Sequence, residues 1–291
     1  MPEDEKPGVA RAERRLGDWA RRQLPGWLAE FAMFVLKQGW ACLFGGLLLI
    51  AIIVSKAIWQ DDWAFSRYDA LFLFALGLQA LFLFLKLESW DEAKVILIYH
   101  VTGTVMEVFK LRMGSWDYPD QGLAEIAGVP LFSGFMYASI GSYMARVIRI
   151  FHMRFAPYPP YWSTLVLAAL IYGNFYTHHF IPDIRTGLFV ATVVLFWRTR
   201  IWFYIGEVPR WMPLPLAAFL SAFFVWIAEN IGTFTKTWAY PGQHATAWVS
   251  FGKFGSWYLL LFVSFVLVTL VFRDVLSAKA LSMGTRQPDK P

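Results

Sequence analysis

The residues with chemical potential in this chain are acidic, basic and imidazole groups set inside long apolar runs. His100, Thr104 and Glu107 fall at i, i+4 and i+7, so one face of a helix carries all three. Lys110 follows Glu107 by three residues, within reach of a local pair. Glu229 and Asn230 lie in a second apolar run, and Lys253 in a third, with Ser250 before it and Trp257 after it. Asn174 and His178 share a helical face, His179 follows directly, and Asp183 and Arg185 are spaced to pair in the next loop. A carboxyl shielded from water can act as a general acid near neutral pH, and a neighbouring Lys or His can tune it. Glu107, Glu229, His100, Lys253 and His178 are therefore the candidate acid–base groups. The expected cavity lining is Lys110, Trp116, Tyr118, Asn174, His179, Asp183, Arg185, Asn230, Trp238, Tyr240 and Trp257. Adjacent histidines diverge on a helix, so they form no ready two-ligand clamp, and no metal ligand is assigned.

Two of these acids belong to the same pattern. Glu107 is followed nine residues on by Trp116-Asp-Tyr118-Pro119, and Glu229 nine residues on by Trp238-Ala-Tyr240-Pro241, at an offset of 122. Trp-x-Tyr-Pro by itself reads as an interfacial helix stop, with aromatics at the headgroups and Pro ending the helix. The Glu at a fixed distance before it is not explained by a stop. It points to a duplication.

The surroundings must be a membrane bundle. Of 291 residues, 57% are apolar and only 16% charged, whereas soluble domains carry about 25% charged residues. That excludes a soluble globular enzyme, a disordered chain and a coiled coil. The lone cysteine, Cys42, excludes a disulfide scaffold. The sequence carries no P-loop, dinucleotide fingerprint, nucleophile elbow or zinc-protease helix. The net charge of +5 arises from basic residues flanking apolar runs and is not a nucleic-acid signal.

Eight runs approach the roughly 20 residues that a helix needs to cross a bilayer: 32–56, 69–87, 94–112, 129–151, 162–181, 186–205, 212–231 and 247–271. The fold expected is an all-α polytopic bundle of about eight transmembrane helices in two parallel four-helix repeats, 31–157 and 158–273. Residues 1–30 read as a basic, amphipathic cytoplasmic segment and 274–291 as a disordered cytoplasmic tail. No cleavable leader is read. With both termini inside, eighteen Lys and Arg fall in inner segments and six in outer ones, the bias of a cytoplasmic N-terminus. A bacterial inner membrane is the expected location. The lipid bilayer and a lipid-soluble small molecule are the expected partners, and no cofactor is identified.

His100-Val-Thr-Gly-Thr-Val-Met-Glu107-Val-Phe-Lys110, Gly114-Ser-Trp-Asp-Tyr-Pro119, Asn174-Phe-Tyr-Thr-His178-His179, Pro182-Asp183-Ile-Arg185, Trp238-Ala-Tyr-Pro241-Gly-Gln243 and Lys253-Phe-Gly-Ser-Trp257 together resemble the YoaT-like integral membrane proteins, domain-of-unknown-function family 817. The resemblance covers about residues 30–273. It implies a polytopic membrane protein and brings no activity. Locally, an acidic residue, an aromatic-rich stop and Gly128-Val129-Pro130 are similar to patterns in membrane carotenoid hydratases and small lycopene cyclases, which protonate isoprenoid double bonds with buried carboxyls. Here Pro130 is followed by Leu131-Phe132-Ser133 and not by the cyclases' acidic pair. Three functions follow: an acid–base enzyme or binder for an isoprenoid-type ligand, a proton-coupled transporter, and a non-catalytic membrane stress or assembly factor.

Overall fold

The computed structural model describes residues 22–60, 62–206, 208–242 and 247–276. Most of residues 1–30, the tail from 277 onward, and Gln243 and His244 therefore lie outside the described residues. The described helices are α1 (Gly26–Ala41), α2 (Leu43–Ile58), α3 (Arg67–Phe84), α4 (Trp90–Arg112), α5 (Phe132–Ile150), α6 (Tyr161–Thr177), α7 (Arg185–Phe196), α8 (Leu214–Phe234) and α9 (Phe251–Val271). A 3-10 turn, Arg273–Leu276, closes the described chain.

The chain is mostly helical. α3, α8 and α9 are each long and apolar enough to cross a membrane, and α1 with α2 makes a fourth candidate bent by 68° at Cys42. α4 carries too many charged residues to score as a span on hydropathy, yet Leu97, Val101 and Val105 form an exposed apolar stripe at i, i+4 and i+8. On α8, Phe219, Leu220, Phe223 and Phe224 are exposed in the same way. Apolar faces of this extent mark surfaces that meet lipid or another protein.

Local signals explain the helix starts. Ser89 accepts from the Glu92 backbone N–H while the Glu92 carboxylate accepts from the Ser89 N–H, a capping box that opens α4. Ser66 caps α3 through the Tyr68 N–H. Glycines then let α4 and α5 pack closely. A Cβ at Gly103 would lie 2.7 Å from the Tyr137 ring, and one at Gly134 would lie 2.4 Å from His100. Small residues at such crossings are how membrane helices gain packing energy.

Two expectations need correction. The run 186–205 is not one helix: α7 stops at Phe196 after 12 residues. The chain then forms β4 (Arg200–Tyr204), which pairs antiparallel with β3 (Arg154–Ala156) and β5 (Pro209–Pro213). The fold is therefore not purely helical. A second small hairpin, β1 (Glu125–Ile126) with β2 (Val129–Pro130), precedes α5. The run 32–56 is likewise two helices rather than a straight span.

Candidate functional site

α4 and α8 end alike. In each, the second residue after the helix takes positive φ: Gly114 at 64° and Lys236 at 52°. Gly114 N–H bonds the Leu111 carbonyl and Ser115 N–H the Lys110 carbonyl; Lys236 N–H bonds Thr233 and Thr237 N–H bonds Gly232. These are two Schellman stops with the same hydrogen bonds at an offset of 122. The chains leaving them meet. Asp117 and Ala239, equivalent by the same offset, exchange both backbone hydrogen bonds at 2.9 Å.

Each stop carries its aromatics onto a buried carboxylate. Glu107, 3% exposed, accepts from Trp116 Nε1 at 2.7 Å, Tyr118 Oη at 2.7 Å and Tyr137 Oη at 2.6 Å. Glu229, also buried, accepts from Tyr240 Oη and Trp257 Nε1. The two motifs differ in their indoles. Trp238 lies flat on α8, where a Cβ at Gly232 would fall 1.9 Å from its ring. The position equivalent to Gly232 is Lys110, so Trp116 cannot pack that way and turns onto Glu107. Trp257 from α9 supplies the donor that Trp238 does not. Burial pushes the Tyr118 and Tyr240 phenols well above their usual range, and the carboxylates beside them push the same way. Both tyrosines therefore stay protonated donors.

The lysines do not pair with these acids. Lys110 Nζ lies 3.0 Å from His179 Nε2, not on Glu107, because the Glu107 oxygens face the aromatic donors. Lys253 sits in the first turn of α9, not two turns deep. Its ammonium lies over the Tyr240 ring at 4.0 Å and near Trp116 at 5.4 Å. Among the described residues neither lysine has a carboxylate within 4 Å. Trp116 and Tyr240 meet edge to face at 6.1 Å, joining the two carboxylate shells.

A cavity of about 1100 Å³ opens beside this cluster. Glu107, Glu229, Lys110, Lys253, Arg185 and His178 line its polar end, with Trp116, Tyr118, Trp238, Tyr240 and Trp257. The rest of its wall is mostly apolar and runs down α1, α2, α5, α8 and α9 to Phe155 and Phe203 of the sheet.

The other expected residues, His100, Asn174, His179, Asp183 and Asn230, do not line the cavity. His100 packs on Phe135 at 4.7 Å and does not line the cavity. Asn174 donates to Asp183 at 2.9 Å and accepts from the Ile184 N–H. Asn230 accepts from the Val249 N–H and so ties α8 to the chain entering α9. Asp183 accepts from the Arg185 N–H and pairs with the Arg185 guanidinium at 3.2 Å, fixing the start of α7. Partial burial pushes the Asp183 carboxyl up, but the Asn174 and Arg185 hydrogen bonds and the Arg185 charge outweigh it and hold it below its usual range. His178 and His179 stack at 4.1 Å, and His178 Nδ1 meets the Asn174 carbonyl at 2.8 Å. Among the described residues no group of His, Cys, Asp or Glu is arranged to hold a metal.

Three groups escaped the sequence reading. Tyr137 reaches Glu107 from α5, 30 residues away, and only its Gly103 partner hints at it. Arg67, 4% exposed, donates to Thr237 Oγ1 at 2.9 Å and Ser55 Oγ at 3.1 Å and meets Asp120 at 3.4 Å, clasping both Trp-x-Tyr-Pro segments. At the opposite end of α4 and α5, Glu88 lies 3.7 Å from a fully buried Arg146, and Arg149 pairs with Glu92 at 2.8 Å. The Ser89-x-x-Glu92 box was the available signal for the last of these.

The chain is 39% identical to "Uncharacterized protein YoaT" of Bacillus subtilis (strain 168) over 242 residues, which is 83% of this chain and 91% of that protein. No solved structure matches. The family model "Protein of unknown function (DUF817)" matches residues 30–265, a segment that includes every acid, cation and aromatic of the polar cluster, and the chain belongs to that family.

Proposed function

We propose that the protein is a multi-pass membrane protein that binds a lipid-soluble ligand in the cavity and handles protons at its polar end. The observation that carries this reading is that Glu107, Glu229 and Lys253 line one cavity whose wall is mostly apolar. An intramembrane ionisable group is costly unless it faces a protein interior, so three in one cavity mark a functional centre. The ligand's apolar body, isoprenoid in type, lies along the α1, α2, α5 and α9 wall. Its reacting end meets the two carboxylates. Glu107 accepts three hydrogen bonds and Glu229 two, so Glu229 is the less occupied carboxylate and the one that exchanges a proton with ligand. Glu107 stays the fixed negative charge beside it.

The same reading places a multi-pass chain in a bacterial inner membrane, with both termini in the cytoplasm and two parallel repeats. Matched Schellman stops and the Asp117–Ala239 exchange support the repeat, because equivalent residues that pair reciprocally are related by a local two-fold axis.

A second reading, proton-coupled transport, is favoured by the 68° break at Cys42, since broken helices frame sites in transporters. One experiment separates the two. The full chain is purified and its organic extract analysed, and proton movement is measured in proteoliposomes. Stoichiometric retention of a lipid-soluble compound, lost in Glu229→Gln, supports the binder. Proton flux abolished by Glu229→Gln, with no retained compound, supports transport. A chain in which Glu107→Gln and Glu229→Gln change neither readout nor the cellular phenotype has a purely structural role.

A further inference from the structure

Resting on the cavity reading above, we infer that the ligand is a single-tailed amphiphile with an anionic head, a carboxylate or a phosphate, held by Lys110, Arg185 and Lys253. These three cations come from three separate helices, α4, α7 and α9, and all line the polar end of the cavity. Their hydrogen-bonding capacity is only partly spent. Lys253 has three N–H donors, yet its contacts are the faces of Tyr240 and Trp116, which offer charge attraction and no lone pair in that direction. Lys110 has His179 Nε2 and the face of Phe175 at 5.9 Å. Arg185 Nε is buried and has no hydrogen-bond partner, while another of its nitrogens is held by Asp183.

The carboxylates in the same place are spent in the opposite sense. Both Glu107 oxygens and both Glu229 oxygens already accept from Trp and Tyr donors. Formal charge at this end is thus nearly balanced, and the direction of the open groups decides what fits. The two lysine ammoniums keep N–H donors open there, and the nearby carboxylate oxygens are already taken. Leaving ammonium and guanidinium donors without acceptors in an apolar enclosure is unfavourable. A head rich in anionic oxygens completes the set, and a cationic or purely hydrocarbon end does not.

The remainder of the cavity suits one long tail. Tyr137 at the polar end and Ile148 toward the sheet both line it from α5, and eleven residues of helix separate them by about 16 Å. Gly45, Gly46 and Cys42 line it at the α1–α2 break, where small side chains leave room for a chain to enter from the lipid.

The test uses the full chain in phosphatidylcholine nanodiscs, titrated calorimetrically with dodecyl phosphate, dodecanoate, dodecanol and inorganic phosphate, with empty discs as reference. The expected result is that at least one anionic dodecyl probe binds about tenfold or more tighter than dodecanol. Lys253→Met and, independently, Lys110→Met each remove about tenfold of that affinity and leave dodecanol binding unchanged. The tighter of dodecyl phosphate and dodecanoate identifies the head. Dodecanol binding as tightly as both anions overturns the anionic head while the lipid-binding cavity stands. Inorganic phosphate binding as tightly as dodecyl phosphate overturns the amphiphile. No dodecyl probe binding above empty discs overturns this inference and the cavity reading together.

Discussion

Asp117 and Ala239 exchange both of their backbone hydrogen bonds at 2.9 Å, and they stand at equivalent positions of two segments that are 122 residues apart. This short ladder brings together the two Trp-x-Tyr-Pro segments that follow α4 and α8. From there each segment sends a tyrosine down onto its own glutamate. The polar end of the cavity is the consequence.

The Glu107 shell should be energetically coupled. A hydrogen bond to a charged group contributes about 1.5–3 kcal/mol. Tyr118→Phe and Tyr137→Phe should each destabilise the protein by an amount in that range. A double-mutant cycle read by thermal unfolding in detergent should show non-additivity, because both donors serve one carboxylate. Strict additivity would mean that the two hydroxyls do not share Glu107.

Gly232→Ala should be strongly destabilising. Its Cβ would meet the Trp238 ring at 1.9 Å, and overpacking of this kind costs about 1–3 kcal/mol or more. Gly46→Ala, with nothing within 4 Å of the added carbon, is the matched control. It should be neutral or stabilising by about 0.5–1 kcal/mol, since Ala favours a helix over Gly. Equal unfolding temperatures for the two variants would contradict the packing of Trp238 on α8.

The sequence revealed the two glutamates and their Trp-x-Tyr-Pro segments because the same residues recur at a fixed distance. It also revealed that Asp183 and Arg185 pair. The partner of Lys110 was not legible. The i, i+3 rule nominates Glu107, but that rule knows nothing of Tyr137 arriving from α5 to occupy the carboxylate. Nor was the end of α7 legible. Ile201-Trp202-Phe203-Tyr204 continues the apolar run, and hydropathy alone does not distinguish a helix from the alternating faces of β4, where Ile201 and Phe203 are buried and Trp202 and Tyr204 half-buried. Arg146 counts as an inner flanking charge by composition. Its burial between Trp40 and Phe82 is a tertiary fact.

Arg67 should act as the clasp on both motif segments. In Arg67→Met the bonds to Thr237, Ser55 and Asp120 are lost. Hydrogen exchange should then accelerate at Ala239 and Asp117, whose amides form the ladder, while the α9 interior stays protected. Unchanged exchange at both amides would show that the ladder stands without Arg67.

Asp183 sets an acid limit. Its carboxyl is held below the usual range in the folded protein, so it contributes stability fully above the unfolded-state value of about 3.9. That contribution is lost as pH falls through the lower folded-state value. Between the wild type and Asp183→Asn, the difference in unfolding temperature should be constant from neutral pH to about pH 5 and shrink below about pH 4. A difference that grows as pH falls would have the wrong sign for this pairing.

Glu107, Glu229 and Lys253 line one cavity, which we propose holds a ligand. Native mass spectrometry of the full chain released from gentle detergent tests it most directly. The account predicts a retained lipid-soluble compound at one per chain, reduced at least about tenfold in Glu229→Gln and in Lys253→Met. A wild-type chain that flies with no adduct, or an adduct that persists unchanged in both variants, would contradict it.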